Sequence, residues 1–111
     1  MTGNRMIQIV ASESSPEKEA EYDAWYTDIH IPMLFGYKGM KKVSRYRLVG
    51  ENEEVSRFLT IYEFENQEAM DNLSESPDFK AAIEDYENKK DALDFKLRWA
   101  AAYECTKSLE R

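Results

Sequence analysis

The sequence contains a single cysteine and a single histidine, and this scarcity excludes several kinds of site. Cys105 has no second cysteine with which to form an internal disulfide, which favours a reducing cytoplasm as the location. His30 lies far from Cys105 in the sequence and no Cys-x-x-Cys occurs, so a zinc site is not expected. We therefore predict a cytoplasmic protein that holds no metal and no cofactor.

Positive charge is also scarce, since 15 Lys and Arg stand against 22 Asp and Glu and give a net charge of −7. Affinity for nucleic acid rests mostly on neutralising phosphates, so nucleic acid and anionic membrane surfaces are not expected as partners. No apolar run approaches the roughly 18 residues that cross a bilayer, and the first residues lead directly into a strand-like segment instead of a signal peptide. Glycine-rich phosphate loops and the G-x-S-x-G motif of serine hydrolases are absent.

The chain does have a regular alternation of strand and helix patterns over 111 residues, a length that suits one domain, residues 1–111. The predicted elements are a strand at 6–11, a helix at 16–30 with a possible further turn to 35, strands at 40–49 and 55–65, a helical stretch at 67–73 continued from 76–77, and a strand at 96–106. The order β-α-β-β-α-β predicts an α+β, ferredoxin-like fold: a four-stranded antiparallel sheet with both helices on one face.

The strand patterns leave few polar residues for the second face of this sheet. In the third strand Leu59 and Ile61 point to one face of the sheet, and the residues that alternate with them are also mostly apolar. In the fourth strand Trp99 and Tyr103 point to one face, and two alanines point to the other. A sheet with one wet face alternates apolar and polar residues more cleanly. We therefore predict a homodimer in which a second copy of the sheet covers this face; a monomer with an apolar open face is the alternative.

The only histidine follows an apolar stripe of the first predicted helix. The stripe is made of residues three or four positions apart: Tyr22, Trp25, Tyr26, Ile29 and Met33. His30 lies at its margin. Because Pro32 disfavours the α conformation of Ile31, the helix is predicted to end or kink there, which places an imidazole near a helix C-terminus beside several aromatic rings.

The residues of 25–32, Trp-Tyr-Thr-Asp-Ile-His-Ile-Pro, together with this topology, resemble the dimeric α+β barrel superfamily. The similarity is strongest to the EthD-like and related small domains, whose first helix ends in W-Y-x-x-H-x-P. The stretch Gly39-Met40 and the stretch Ser44-Arg45-Tyr46 resemble the entry of those domains into strand two, although Lys38 stands where they usually carry proline. Relatives include cofactor-free monooxygenases acting on polyketide quinols, polyketide cyclases and lactone isomerases. The resemblance implies a small organic ligand, aromatic or polyketide-like.

His30 and Tyr26 are the predicted catalytic residues. An imidazole exchanges a proton near neutral pH, and the resemblance places His30 at a position that lines the ligand cleft of relatives. Tyr26, one turn earlier, would share a proton or orient a ligand phenol. The alternatives are a histidine that orders the turn before Pro32, a core tyrosine with its hydroxyl at the rim, and a haem held by His30 as in some relatives.

Six further side chains are predicted to bind the substrate: Trp25, Arg45, Tyr46, Tyr62, Trp99 and Tyr103. Arg45 and Tyr46 point to opposite faces of strand two, so whichever points inward would contact a ligand carbonyl or enolate. The aromatic residues would line a space for a flat ligand. For each of them ordinary packing is the alternative, and for the arginine it is a solvated position or a cross-strand pair with Glu63 or Glu104.

These patterns predict a cofactor-independent enzyme of small organic molecules that performs proton transfer, as a cyclase or isomerase, or oxygenation. The alternative is a non-catalytic ligand-binding or dimeric interaction module. One structural feature separates them. In the enzyme a nitrogen of His30 opens into a cavity lined by aromatic residues, whereas in the module backbone caps His30 and side chains fill the interior.

Overall fold

A computed structural model describes residues 4–111 of the chain. The strands are β1 (Met6–Ser14), β2 (Met40–Arg47), β3 (Phe58–Phe64) and β4 (Phe95–Glu104), and the α-helices are α1 (Glu19–Trp25), α2 (Ile31–Phe35), α3 (Gln67–Asp71) and α4 (Pro77–Lys89). Short 3-10 turns at Pro16–Lys18 and Leu73–Glu75 precede α1 and α4. The sheet is antiparallel with the order β2-β3-β1-β4. The predicted ferredoxin-like α+β fold is therefore confirmed.

Two strand boundaries differ from the prediction by three residues, and each difference has a local reason. β1 runs three residues further, because Ser12 to Ser14 pair with the first part of β4 despite their polarity. β3 begins at Phe58 and not at Val55, because Arg57 turns its side chain back to the carbonyl groups of Leu48 and Gly50 and closes the connection before the strand. The helical stretch after β3 has the predicted two pieces, and the Ser76 hydroxyl caps α4 by accepting from the N–H of Phe79.

The helix that carries His30 does not end at Ile31, so that part of the prediction is wrong, whereas the possible further turn to residue 35 is present. Ile31 has helical dihedral angles of −61° and −48°, and the chain stays helical to Phe35. A π-helical turn at Tyr26–His30 joins α1 to α2, with the N–H of Ile31 donating to the carbonyl of Tyr26. This wider turn accommodates the proline ring and its missing N–H. His30 thus lies inside a continuous helix.

The helices cover one face of the sheet, and two groups of buried side chains fill the space between them. Alternate residues of β3 project to this face and are buried: Phe58, Thr60, Tyr62 and Phe64. One group has Phe64 at its centre and is completed by Met6, Leu34, Met40, Tyr62, Leu73 and Ala82. The other is mostly aromatic and contains Tyr22, Trp25, Tyr26, Phe58, Leu93 and Phe95. The aromatic group surrounds the candidate site.

The opposite face of the sheet is apolar, as the strand patterns predicted. Strand pairing places Ile7 beside Tyr103, Ile9 beside Ile61 and Ala101, and Tyr46 beside Leu59. Tyr46, Trp99 and Tyr103 are each about half exposed there. Among the helices at residues 4–111, none is both long enough and apolar enough to span a membrane.

Candidate functional site

Arg45 is a buried cation at the centre of the site. Its side chain is only 7% exposed, and its Nε donates to Oδ1 of Asp23 on α1 at 2.9 Å. Nη1 donates to the hydroxyl of Thr60 at 2.9 Å, whereas Nη2 is buried without a hydrogen-bond partner. Strand register explains the position, because Arg45 pairs with Thr60 and so projects to the helix face. The site therefore holds a positive charge with one spare donor.

Three aromatic rings surround this guanidinium. Its central carbon lies 3.9 Å from the ring centre of Tyr26, 4.4 Å from that of Phe58 and 5.3 Å from that of Tyr22. Such contacts stabilise a cation that has been removed from water. The ring of Tyr26 thus faces a buried cation.

Tyr26 and Tyr62 form a buried pair of phenols. Their hydroxyl oxygens lie 2.6 Å apart, and both side chains are almost fully buried. Burial raises the pKa of each phenol, and the positive charge of Arg45 acts against that rise in both. The hydrogen bond between the two hydroxyls lowers the pKa of Tyr26 and raises that of Tyr62. Both phenols are therefore neutral near pH 7 and can donate or accept a hydrogen bond, but they carry no charge.

His30 lies in the same aromatic cluster and is 4% exposed. Its ring stacks on Trp25 at 5.0 Å, meets the edge of Tyr26 at 4.8 Å and approaches Tyr86 at 5.8 Å. Burial lowers the pKa of His30 to about 4; Asp85 raises it, and Arg45 lowers it further. The imidazole is consequently neutral at pH 7, and its Nδ1 is buried without a hydrogen-bond partner.

Trp25 is held in place by an acidic residue of α4. Its indole Nε1 donates to Oδ2 of Asp85 at 2.8 Å. This bond fixes the indole plane on which His30 stacks. Trp25 therefore positions the imidazole and couples α1 to α4.

The structure brings together only part of the predicted site. Trp25, Tyr26, His30, Arg45 and Tyr62 all lie between the helices and the sheet. Tyr46, Trp99 and Tyr103 lie on the opposite face, so the predicted aromatic lining that combined Tyr62 with the last two does not form within one chain. Between Arg45 and Tyr46, the inward residue is Arg45, and it pairs with Asp23 where the sequence had offered Glu63 or Glu104.

A groove between α1 and β2 leads to this cluster. It has a volume of about 570 Å3, and its lining includes Asp23, Thr27, Arg45 and Phe58. His30 and Tyr26 do not line this groove, nor do they line four other cavities of 410 to 920 Å3 on residues 4–111. Arg45 and its carboxylate partner Asp23 therefore line the groove, whereas the imidazole of His30 is enclosed among aromatic rings.

Sequence reasoning missed Asp23, Thr60 and Asp85. Thr60 carried a signal, because it is the one polar residue in the buried alternation of β3. Asp23 lies next to the aromatic stripe, but nothing in a helical pattern pairs it with a strand arginine. Asp85 lies 60 residues from Trp25 and carried no signal. Across residues 4–111, no three His, Cys, Asp or Glu side chains cluster closely enough to hold a metal ion.

Comparison with known proteins agrees with this geometry at the level of family and fold. The family model described as "Domain of unknown function (DUF4286)" matches residues 6–103. The chain belongs to the DUF4286 family. No curated protein sequence matches the chain significantly.

Several solved structures share the fold at low sequence identity. One is an EthD family protein from Bacillus halodurans, with 14% identity, a TM-score of 0.66, and 88% of this chain and 96% of that chain covered. A dabb family protein with a ferredoxin-like fold from Mesorhizobium loti has 14% identity, a TM-score of 0.65, and coverages of 95% and 98%. SnoaB from Streptomyces nogalater, a cofactor-independent oxygenase, has 10% identity, a TM-score of 0.63, and 100% coverage of both chains. At these identities the likeness shows the fold alone.

Proposed function

We propose that this chain is a cofactor-independent enzyme that moves a proton on a small aromatic or polyketide-like molecule. One observation carries the proposal: a buried guanidinium with a spare donor and a buried neutral imidazole contact the same tyrosine ring. A fixed cation stabilises an oxyanion, and a neutral imidazole accepts a proton. These are the two groups that enolate formation requires.

The reaction begins when a substrate enters the groove between α1 and β2 and places a carbonyl or phenol oxygen against Nη2 of Arg45. Because His30 does not line the groove, the ring of Tyr26 moves aside as the substrate reaches the imidazole. His30 then takes a proton from a carbon next to the carbonyl, and the electron pair of that C–H bond becomes an enolate whose oxygen faces Arg45. Return of the proton to a different carbon gives an isomer. Attack of the enolate carbon on a second carbonyl carbon of the substrate, whose oxygen then takes the proton from His30, gives a cyclised product.

The lowered pKa of His30 suits this order of events. Burial and the charge of Arg45 keep the imidazole neutral before the reaction, so it is ready to accept a proton. An enolate next to Arg45 offsets that charge and raises the pKa of His30 as the proton arrives. The imidazole is a stronger base when the anion forms than when the site holds no substrate.

Oxygenation is a second possible outcome of the same first step. SnoaB shares the fold and is a cofactor-independent oxygenase, which supports including this reaction in the test. A stabilised carbanion can itself deliver an electron to oxygen, so no further group on the protein is needed.

Deuterium exchange tests the shared first step. Phenols, anthrone-like quinols and 1,3-diketones are incubated with the protein in D2O, and loss of the C–H signal is followed by NMR together with oxygen uptake. We expect exchange that falls at least about tenfold in His30→Gln and in Arg45→Lys. Tyr86→Phe, a neighbouring ring whose hydroxyl has no partner among residues 4–111, serves as the control and keeps the activity. Exchange that is equal in His30→Gln and the native chain would sink the proposal.

The competing function is a non-catalytic binding module, and the enclosure of His30 favours it. The ring is 4% exposed and packed by Trp25, Tyr26 and Tyr86, as in a filled interior. In that case the same compounds bind and shift the resonances of His30 without any exchange of their protons. The deuterium experiment separates the two functions directly.

The apolar second face of the sheet supports a homodimer as the working unit. Ile7, Ile9, Ile61 and Tyr103 form a continuous surface there, which a second copy of the sheet would cover. We include in the proposal that residues 1–111 act as one domain and that the protein works in the cytoplasm.

A further inference from the structure

Asp85 on α4 is a carboxylate at the edge of the stack formed by Trp25 and His30. It accepts from Nε1 of Trp25 at 2.8 Å, and the ring of His30 stacks on the same indole at 5.0 Å. The next residue of α4, Tyr86, has its ring 5.8 Å from that of His30. Two successive residues of α4 therefore place a negative charge and a neutral ring against the stack.

Asp85 differs from Asp23, the other carboxylate near the site, because it has no cationic partner. Asp23 is paired with Arg45 at 2.9 Å, and Asp28, on the same turn as His30, is exposed to water. Asp85 is half-buried and makes no ion pair within residues 4–111, and the indole N–H that it accepts from is neutral. A partly buried charge without a counter-ion is costly, so a cation that forms beside Asp85 is stabilised.

Two charged groups act on the imidazole from the elements packed around it. Burial, the largest influence, lowers the pKa of His30 to about 4, while Asp85 on α4 acts against burial and Arg45 on β2 acts with it. The phenols of the cluster are neutral near pH 7, since burial raises the pKa of each: Tyr26, Tyr62 and Tyr86. Of these groups, Asp85 is the one that favours a protonated His30.

We propose that Asp85 is a positioning residue for the proposed proton transfer: its hydrogen bond fixes the indole against His30, and its negative charge stabilises the imidazolium that forms. In that step the C–H bond of the substrate breaks, its electron pair stays on the substrate as an enolate, and the proton bonds to a nitrogen of His30. Asp85 takes no proton, and it does not line the groove between α1 and β2. The kinetic part of this role rests on the proposed function, whereas the effect of Asp85 on the imidazole can be measured without substrate.

Asp85→Asn separates the hydrogen bond from the charge, because the amide oxygen still accepts from the indole N–H. Between about pH 7 and about pH 4.5 we expect the ring NMR signals of His30 to move less in this variant than in the native chain, since the imidazole takes up a smaller fraction of a proton. With a 1,3-diketone or quinol that exchanges in D2O, kcat should fall roughly tenfold while KM stays within about twofold. Asp85→Glu, which keeps the charge, should restore part of the rate.

Two further variants complete the test. Glu84→Gln removes a charge from the adjacent, exposed position of α4 and should leave both the titration of His30 and the exchange rate unchanged. Asp85→Ala removes the hydrogen bond as well as the charge and should lose at least as much activity as Asp85→Asn.

The proposed role is overturned if His30 titrates alike in Asp85→Asn and the native chain. It is also overturned if Asp85→Asn exchanges substrate protons at the native rate while Asp85→Ala does not, because Asp85 then only holds the indole. A native chain that exchanges none of the compounds contradicts the proposed enzymatic function instead. The titration of His30 still decides whether the charge of Asp85 acts on the imidazole in that case.

Discussion

The guanidinium of Arg45 lies 3.9 Å from the ring centre of Tyr26 and donates through Nε to Asp23. Arg45 belongs to β2, and Tyr26 is the first residue of the π-helical turn. The contact between the guanidinium and the Tyr26 ring therefore joins the sheet to the first helix at the candidate site. The cation is buried, while its carboxylate partner is about one-third exposed. This asymmetry leads to a prediction about stability.

Arg45→Ala should lower the free energy of unfolding by about 2–3 kcal/mol. The variant loses packing against three rings and leaves Thr60 without its donor, but Asp23 can be solvated. Arg45→Met keeps the stem and should lose less than Arg45→Ala. Arg5→Ala breaks the exposed pair with Glu63 and should cost less than about 1 kcal/mol. Denaturant titration measures all three, and equal losses for Arg45→Ala and Arg5→Ala would contradict the prediction.

The hydrogen bond between the Tyr26 and Tyr62 hydroxyls predicts energetic coupling. Tyr26→Phe and Tyr62→Phe should each cost about 1–2 kcal/mol, because each leaves a buried hydroxyl without that partner. The double variant should cost about 1 kcal/mol less than the sum, since both partners are then removed. Tyr86→Phe serves as the control and should change stability by less than about 0.5 kcal/mol. Additive losses in a double-mutant cycle would show that the two hydroxyls do not interact.

The fold was predictable because periodicity records which side of each element is buried. The alternation of β3 placed Phe58, Thr60, Tyr62 and Phe64 on one face, and the structure places them there. The helix positions also followed from apolar spacing. The π-helical turn at Tyr26–His30 did not, because such a turn changes the hydrogen-bond pattern without leaving a clear mark in the residue order.

The site was less predictable, because a strand pattern shows two faces but not which one the helices cover. Arg45 and Tyr46 were therefore equivalent candidates until register with Thr60 and Leu59 separated them. Trp99 and Tyr103 carried the same ambiguity, and the extra residue Arg98 altered the alternation of β4. Long-range partners such as Asp85 depend on the packing of α4, which no local pattern encodes.

The proposed homodimer predicts a concentration-dependent sedimentation coefficient. Tyr103 is 52% exposed on the apolar face, so Tyr103→Glu should leave the monomer folded while placing a charge in the interface. We expect the native chain to sediment at twice the chain mass at micromolar concentration, and this variant at the chain mass. Ser74→Glu, at an exposed position in the turn before α4, is the matched control and should remain dimeric. A native chain that stays monomeric throughout this range would remove the basis for the dimer.

The buried imidazole predicts how stability depends on pH. Burial lowers the pKa of His30 from 6.5 to about 4, so the unfolded chain binds a proton between these pH values and the folded chain does not. The contribution of His30 to the free energy of unfolding is therefore fully present above pH 6.5 and is lost as the pH falls toward 4. The total loss is roughly 3 kcal/mol. His30→Gln cannot titrate and should lack this component, although carboxylates still weaken both proteins in acid. Denaturant titrations of the two proteins at about pH 7.5 and about pH 4.5 give the difference, and an NMR titration of the only histidine gives the pKa directly. An unshifted pKa, with the same loss in both proteins, would place the imidazole in water and would argue against the enclosed base on which the proposed proton transfer depends.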